Sequence, residues 1–491
     1  MKKFLYYLPL FFFLGCSAPQ KENPVLTIEG GQVQGVFADI PDVYVYRGIP
    51  YAAPPIGELR WKEPQPVVKW DGVRVADKFG HPGYQAVHYP GGYPTEWGYG
   101  DEAPYSEDCL YLNVWTKAPG EVDKKLPVAL WIHGGGYREG WGSEPEFDGQ
   151  EWAAKDVVLV SINYRLGVFG FMTHPELSAE SPHGVSGNYG ILDQIHSLKW
   201  IKENIAQFGG DPENVTIFGQ SAGAGSVRTL CESPLARGLF HKAVIMSGGG
   251  INLPPKEGAP APMARPSMMR SFNFNPTLAE SEAAAKKVLD WAGMTDLQKL
   301  RRASTEVLYT VGHFYSTVTK DRASLMGRPI VDGYVSLKSF DEAARDGSIA
   351  NVPYMIGYTM NDMGNMAPGI AEFCKVRQAQ GQKAWAYEFA RPLPDDGSHP
   401  EVTARLRGAF HSSDLWYVFK SLKHCWRPWT QGDWDLSEKM LTAWTNFAKY
   451  SDPNGAEGGA WTPCTAENPT FMLFKLDAND AEASEMGEPI R

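Results

Sequence analysis

Positive charge is in short supply. The 491-residue chain carries 46 lysines and arginines against 57 aspartates and glutamates, for a formal net charge of −11. An acidic chain repels phosphate backbones, which disfavours nucleic-acid binding. No run of Lys or Arg offers a patch for a membrane surface. Long apolar runs are missing as well. The stretch from Phe4 to Leu14 is too short to span a bilayer comfortably. Cysteine is scarce: Cys16, Cys109, Cys231, Cys374, Cys425 and Cys464 are scattered with no C-x-x-C pair, which argues against a zinc site. Low-complexity segments and internal repeats are absent. Apolar residues make up 43% of the chain, enough to exclude disorder and bury a large core.

What is present begins with a leader. "MKKFLYYLPLFFFLGCSAPQKENP" has a basic start and a short apolar run, as an export signal does. It ends at Leu14-Gly15-Cys16, which resembles a bacterial lipobox, where the cysteine becomes the lipidated first residue. Phe13 departs from the leucine usual three places before that cysteine. An ordinary signal peptide with a chance cysteine is the alternative. The expected organisation is a signal peptide over 1–15, a small, polar, proline-bearing tether over 16–24, and one folded domain over 25–491. The expected location is outside the cytoplasm, anchored to a bacterial membrane through Cys16 alone.

Beyond the tether, "VLTIEG", "GQVQGVF" and "VYVYRGIPYA" read as short strands, followed by a long Gly-, Pro-, Tyr- and Trp-rich loop over about 79–105. Apolar runs then alternate with helical stretches. "LPVALWIHGGG", "DVVLVSINYR", "NVTIFGQ" and "HKAVIMSGG" read as buried strands. Between the second and third, Ile191, Ile195, Leu198, Ile201 and Ile205 recur at helical spacing. Continuous apolar strands separated by helices imply a mainly parallel sheet covered on both faces. Residues 251–277 read as a surface excursion, 278–308 as helical, "VPYMIGYTMND" as a late strand and "LSEKMLTAWTNFAKYSDPNG" as a closing amphipathic helix.

The chemistry starts at "VTIFGQSAGAGSV", where Ser221 stands in Gly219-Gln220-Ser221-Ala222-Gly223. A G-x-S-x-G match arises by chance in roughly a third of chains of this length and glycine content, so context must decide. Here an apolar strand meets small residues that can begin a helix. A sharp turn between the two needs tiny neighbours on both sides of the serine, and it lifts the hydroxyl above the sheet edge. A nucleophilic serine also needs donors for an oxyanion. "WIHGGGY" supplies His133-Gly134-Gly135-Gly136 directly after a buried strand, where residues without side chains let backbone N–H groups approach. A general base is harder to read from the residues, because His411 is one candidate among 11 histidines.

These motifs, with "YRGIPYAAPPIGELRW", "SEDCLYLNV", "NYRLGVFGF", "GNYGILDQIHSLKWIKENIAQFGGDPENVTIFGQSAGAGSV" and "NFAKYSDPNG", resemble the type-B carboxylesterase/lipase family over about residues 24–475. The resemblance implies an α/β-hydrolase fold: a large, mainly parallel central sheet with helices on both faces and small N-terminal antiparallel strands. It places the nucleophile on Ser221, the general base on His411 and oxyanion donors on the N–H groups of Gly135, Gly136 and Ala222. The family acid, usually a glutamate five residues after a glycine, falls on Asp362, counted from Gly357. The chain order Ser221, Asp362, His411 is the order of α/β hydrolases. Asp414 is a rival by proximity, but it follows the histidine. The implied reaction is hydrolysis of a small-molecule carboxylic ester, with no metal or cofactor.

Three positions depart from the family pattern. Gln220 replaces the usual glutamate before the nucleophile, which removes a negative charge that would favour cationic esters. Gly83 stands where the disulfide partner of Cys109 is usual, so Cys109 is expected as a free thiol. Asp362 is one methylene shorter than the usual acid. On the substrate side, Tyr89, Tyr93, Trp97, Tyr99, Trp141 and Trp416 are candidates to line an aromatic gorge, which points to a hydrophobic ester. Other readings are a non-catalytic, neuroligin-like binding protein on the same fold, or a hydrolase of thioesters, amides or carbonates. Oligomeric state is not legible in the sequence.

The leader gives the first testable outcome. Cys16→Ser turns a detergent-partitioning lipoprotein into a water-soluble or unprocessed form. Equal partitioning of both proteins into the aqueous phase shows instead that Cys16 carries no lipid.

Overall fold

The computed structural model describes residues 23–100, 104–253, 275–319 and 327–476. Cys16 and all of the leader before Asn23 lie outside these residues, as does most of the predicted 251–277 excursion.

Strand β1 (Val25–Ile28) pairs antiparallel with β2 (Gly31–Gln34). These are the small antiparallel N-terminal strands the sequence implies, and β5 (Val73–Val75) joins β2 in parallel to complete a three-stranded sheet. The remaining strands form one ten-stranded sheet: β3 (Val36–Phe37), β4 (Tyr44–Pro50), β6 (Tyr111–Thr116), β7 (Leu126–Ile132), β8 (Val158–Ile162), β9 (Gly210–Gln220), β10 (Lys242–Met246), β11 (Tyr354–Thr359), β12 (Ala384–Phe389) and β13 (Met472–Phe474). Their spatial order is β13-β12-β11-β10-β9-β7-β8-β6-β4-β3. From β8 to β13 every described pairing is parallel, and β6, β4 and β3 extend the edge in antiparallel fashion.

Alternation along each strand builds two cores. Val128, Leu130 and Ile132 of β7 face one layer with Val215 and Ile217 of β9, under the helices Tyr189–Asn204 and Ala222–Glu232. Ala129 and Trp131 face the other with Phe218, Trp152 and Phe419, under the helix Gln431–Tyr450. Both faces are buried, which is why the central strands read as unbroken apolar runs. The last helix begins with a capping box, Thr430 with Asp433, and ends at Ser451 in the left-handed region.

Parallel strands finish at the same sheet edge, so the loops after β7, β9 and β11 gather there. The 79–105 loop is not wholly irregular, for it contains the short helix Tyr93–Glu96. Its buried Glu96 ion-pairs with buried Arg427 at 2.7 Å and anchors the loop to the chain's far end. Among the described residues no helix is long and apolar enough to cross a membrane.

Candidate active site

Ser221 occupies the junction of β9 and the helix Ala222–Glu232 with φ 57° and ψ −121°, a conformation that costs a non-glycine residue on the order of 1–3 kcal/mol. The surroundings enforce it. A β-carbon on Gly219 would lie 2.6 Å from Gly223 and 2.7 Å from the Ile132 carbonyl oxygen, and one on Gly223 would collide with that same oxygen. Only glycine lets the strand, the turn and the helix pack this closely. The Ser221 N–H donates to the Met246 carbonyl at 2.9 Å, which ties the turn to β10.

The glycine loop after β7 lies against this turn. A β-carbon on Gly134 would approach the Gln220 carbonyl oxygen to 2.9 Å and the Ser221 β-carbon to 3.2 Å. Gly135 and Gly136 have φ 89° and 62°, and Ala222 opens its helix, where the first N–H groups have no intrahelical partner. His133 acts behind the loop. Burial pushes its pKa down to about 3, so it is neutral; its Nδ1–H donates to the Gly134 carbonyl at 3.0 Å, and its ring stacks on Tyr164 at 4.5 Å.

His411 and Asp362 come from separate loops joined by Asn361. Asn361 N–H donates to the Ala409 carbonyl, and Ala409 N–H donates to Asn361 Oδ1, both at 2.9 Å. Across this bridge His411 Nδ1 lies 2.6 Å from Asp362 Oδ1. The Asp362 side chain is fully buried, and burial alone would raise its pKa. The hydrogen bond and charge of His411, with the hydrogen bond from the Met363 N–H, outweigh burial and hold the carboxyl below its usual range. Tyr93 OH donates to the His411 carbonyl at 2.8 Å. The other ring nitrogen, Nε2, meets the Gln220 side-chain amide at 3.2 Å. Among the described residues no hydrogen bond joins the Ser221 hydroxyl to His411.

Asp414, the rival acid, is also close, but its environment differs. It is fully buried, accepts a hydrogen bond from Tyr387 OH at 3.1 Å, and leaves Oδ1 without a partner. Burial, reinforced by the nearby Asp362 charge, pushes its pKa up to about 7. Two adjacent carboxyls therefore differ in charge, one ionised beside the imidazole and one disposed to keep its proton.

Ser221, Ala222, Gly135, Gly136, His411 and Gln220 all line a cavity of about 700 Å³, a size suited to a small-molecule ligand. Tyr93, Trp97 and Tyr99 line it too, as the gorge expectation requires. Tyr89 does not: it is 79% exposed. Trp141 and Trp416 are buried behind the wall, packed on Tyr99 at 4.5 Å and Trp97 at 5.2 Å. The lining also carries Arg138, Arg228 and Arg328 with Glu139, Glu144 and Glu146, which the sequence reading did not single out. Arg228 is held by the Gly248 carbonyl at 2.6 Å and Asp341 at 3.6 Å. Cys109, Cys231, Cys374, Cys425 and Cys464 are free thiols, as expected for Cys109 with glycine at position 83.

The sheet order, the strained strand-to-helix turn and the converging loops define an α/β hydrolase. The sequence matches the model of the carboxylesterase family over residues 22–374 and 365–488. It is 37% identical over 420 residues to fumonisin B1 esterase of Sphingopyxis macrogoltabida, covering 81% of this chain and 69% of that protein. It is 30% identical over 537 residues to carboxylesterase 5A of Homo sapiens, covering 96% and 88%. A solved thermophilic pNB esterase superposes with a TM-score of 0.76 at 27% identity, over 92% of this chain and 96% of that one. The chain belongs to the carboxylesterase family and is a carboxylic ester hydrolase.

Asp414 gives a prediction about stability. Its pKa is about 7 when folded, against an ordinary value near 4, so the unfolded chain releases this proton at lower pH. The penalty for ionising it in the fold therefore grows from about pH 4 to pH 7 and is complete above that. Asp414→Asn removes the penalty. Denaturant unfolding should show the variant more stable than the parent at pH 8, by on the order of 2–4 kcal/mol, and equal to it at pH 4. A variant no more stable at pH 8 than at pH 4, relative to the parent, contradicts this assignment.

Proposed function

We propose that the enzyme cleaves carboxylic esters through Ser221, His411 and Asp362 by way of an acyl-enzyme. The observation that carries the reading is the 2.6 Å contact between His411 Nδ1 and Asp362 Oδ1, beside a cavity that Ser221 enters from a strained turn. Asp362 accepts a hydrogen bond from Nδ1–H, which holds the proton on that nitrogen and leaves Nε2 as the basic one. His411 Nε2 takes the Ser221 hydroxyl proton as Oγ attacks the ester carbonyl carbon. The carbonyl π bond opens, and its oxygen becomes an oxyanion held by the N–H groups of Gly135, Gly136 and Ala222. Collapse re-forms the carbonyl and breaks the bond to the alcohol oxygen, which receives the proton from Nε2. Water then repeats the sequence on the acyl-enzyme, with His411 again as base, and releases the acid.

Ionised Asp362 stabilises the imidazolium formed in each half-reaction, while Asp414, with its raised pKa, is poorly suited to that task. Tyr93, Trp97 and Tyr99, in the walls of the cavity that Ser221 also lines, favour a hydrophobic ester. Residues 25–491 are proposed to be one domain, exported and anchored through Cys16. That location rests on the basic, apolar, cysteine-terminated leader alone.

Ser221→Ala should lose roughly 10⁴- to 10⁶-fold in kcat on a chromogenic ester without losing stability. Asp362→Asn should lose at least about 10²-fold and Asp414→Asn far less. Steady-state kinetics with matched thermal unfolding decide the assignment. It fails if the alanine variant keeps a few per cent of turnover, or if the order of the two aspartates is reversed.

A further inference from the structure

We propose that Gln220 is a positioning residue that holds the acceptor nitrogen of His411 in the resting enzyme and passes it to Ser221 without adding charge. The inference rests on the triad reading above and assigns a role to the position where the family pattern has a carboxylate.

Gln220 is the last residue of β9, paired in register with Met246 of β10, and is only 2% exposed. Its side-chain nitrogen lies 3.2 Å from His411 Nε2. On its other side, a β-carbon on Gly134 would stand 3.2 Å from Gln220 Oε1. The side chain is therefore caught between the imidazole and the glycine loop. With Nδ1–H committed to Asp362, Nε2 presents a lone pair, and an amide N–H is the donor that suits it. That lone pair is the one the Ser221 proton must reach. Gln220 thus fixes the ring while the site is empty, and its hydrogen bond is given up when the Ser221 hydroxyl approaches with a bound ester.

Once Nε2 has gained the proton, an amide N–H facing it would be repelled. Half a turn about the Cγ–Cδ bond brings Oε1 round as an acceptor. Glutamine can therefore serve both protonation states of the ring. A carboxylate can only accept, and so supports the charged state. Among the described residues, other groups also lie near this ring. Asp362 follows β11 and accepts hydrogen bonds from the Thr359 N–H and hydroxyl; Asp414 opens the short helix Leu415–Val418, with Tyr387 of β12 behind it; Tyr93 OH binds the His411 carbonyl. Glu388 of β12 is turned to Tyr358 OH at 2.9 Å. Among the described residues Asp362 is the acid hydrogen-bonded to the ring, and Gln220 adds no second one.

The test compares the pH dependence of kcat/KM on a small neutral ester for the parent, Gln220→Glu and Gln220→Met, with thermal unfolding to verify that each folds. A carboxylate at this distance stabilises the imidazolium, so the acid limb of Gln220→Glu should move up by about 1 pH unit or more. Gln220→Met keeps the volume but offers neither the donor for the neutral ring nor the amide acceptor for the imidazolium formed in the transition state. Its acid limb should stay in place while kcat falls roughly 3- to 10-fold, the worth of one hydrogen bond, with KM little changed. An unmoved acid limb in the glutamate variant overturns the proposal, as does a methionine variant altered in KM alone. His411→Ala separates the two levels of the argument. If it keeps pH-dependent turnover, the base has been misassigned; if it is inactive and the Gln220→Glu limb has not moved, only the role of Gln220 fails.

Discussion

The close approach of Gly219 and Gly223 to the Ile132 carbonyl is the contact on which the site depends. It brings the end of β9, the start of the helix Ala222–Glu232 and the end of β7 within van der Waals reach. Ser221 is left no relaxed conformation, and its φ of 57° is the result. Strain of this kind persists only where packing over-determines it. The two cores supply that packing. Val128, Leu130 and Ile132 on one face, and Ala129 and Trp131 on the other, leave β7 no freedom to shift. The same contact sets the glycine loop beside Ser221, so the turn and its neighbouring N–H groups are built by one packing event.

The second constraint is electrical. Burial by itself would raise the pKa of both carboxyls near His411, and hydrogen bonding decides between them. Asp362 meets His411, Thr359 and Met363 and is held ionised; Asp414 meets Tyr387 and burial pushes it toward neutrality. One negative charge beside one imidazole is a balanced arrangement, whereas a second ionised carboxyl nearby would repel the first. Asn361 makes the arrangement possible by lacing its own loop to Ala409 on either side of the pair. Gly408 is needed there: at φ 67° its α-carbon lies so close to Asn361 Oδ1 that a side chain would clash.

Much of this was legible in the sequence because it depends on local pattern. The apolar runs of β7 to β11 and the G-x-S-x-G turn between β9 and its helix are of that kind. β12 and β13 were not found, since "AWAYEF" mixes a carboxylate with aromatics and "MLF" is too short to show a period. His411 and Asp362 needed the family resemblance, because their partnership spans 49 positions and is made by a bridge at Asn361 that no local pattern announces. Trp141, Trp416 and Tyr89 were misjudged for the gorge. Aromatic content does not say which ring faces a cavity, which lies behind its wall and which meets solvent. Gln220 was read as a missing charge, and its contact with His411 became visible only when the loops were assembled.

Nucleophilic attack by Ser221 is the claim from which the rest follows. Its most direct test is covalent capture with a fluorophosphonate, followed by peptide mass mapping. The account predicts a single adduct on the peptide that contains Ser221, formed quickly in the native protein and not at all after unfolding. An adduct on another residue of the folded protein, or none under conditions where ester turnover is measured, would contradict it.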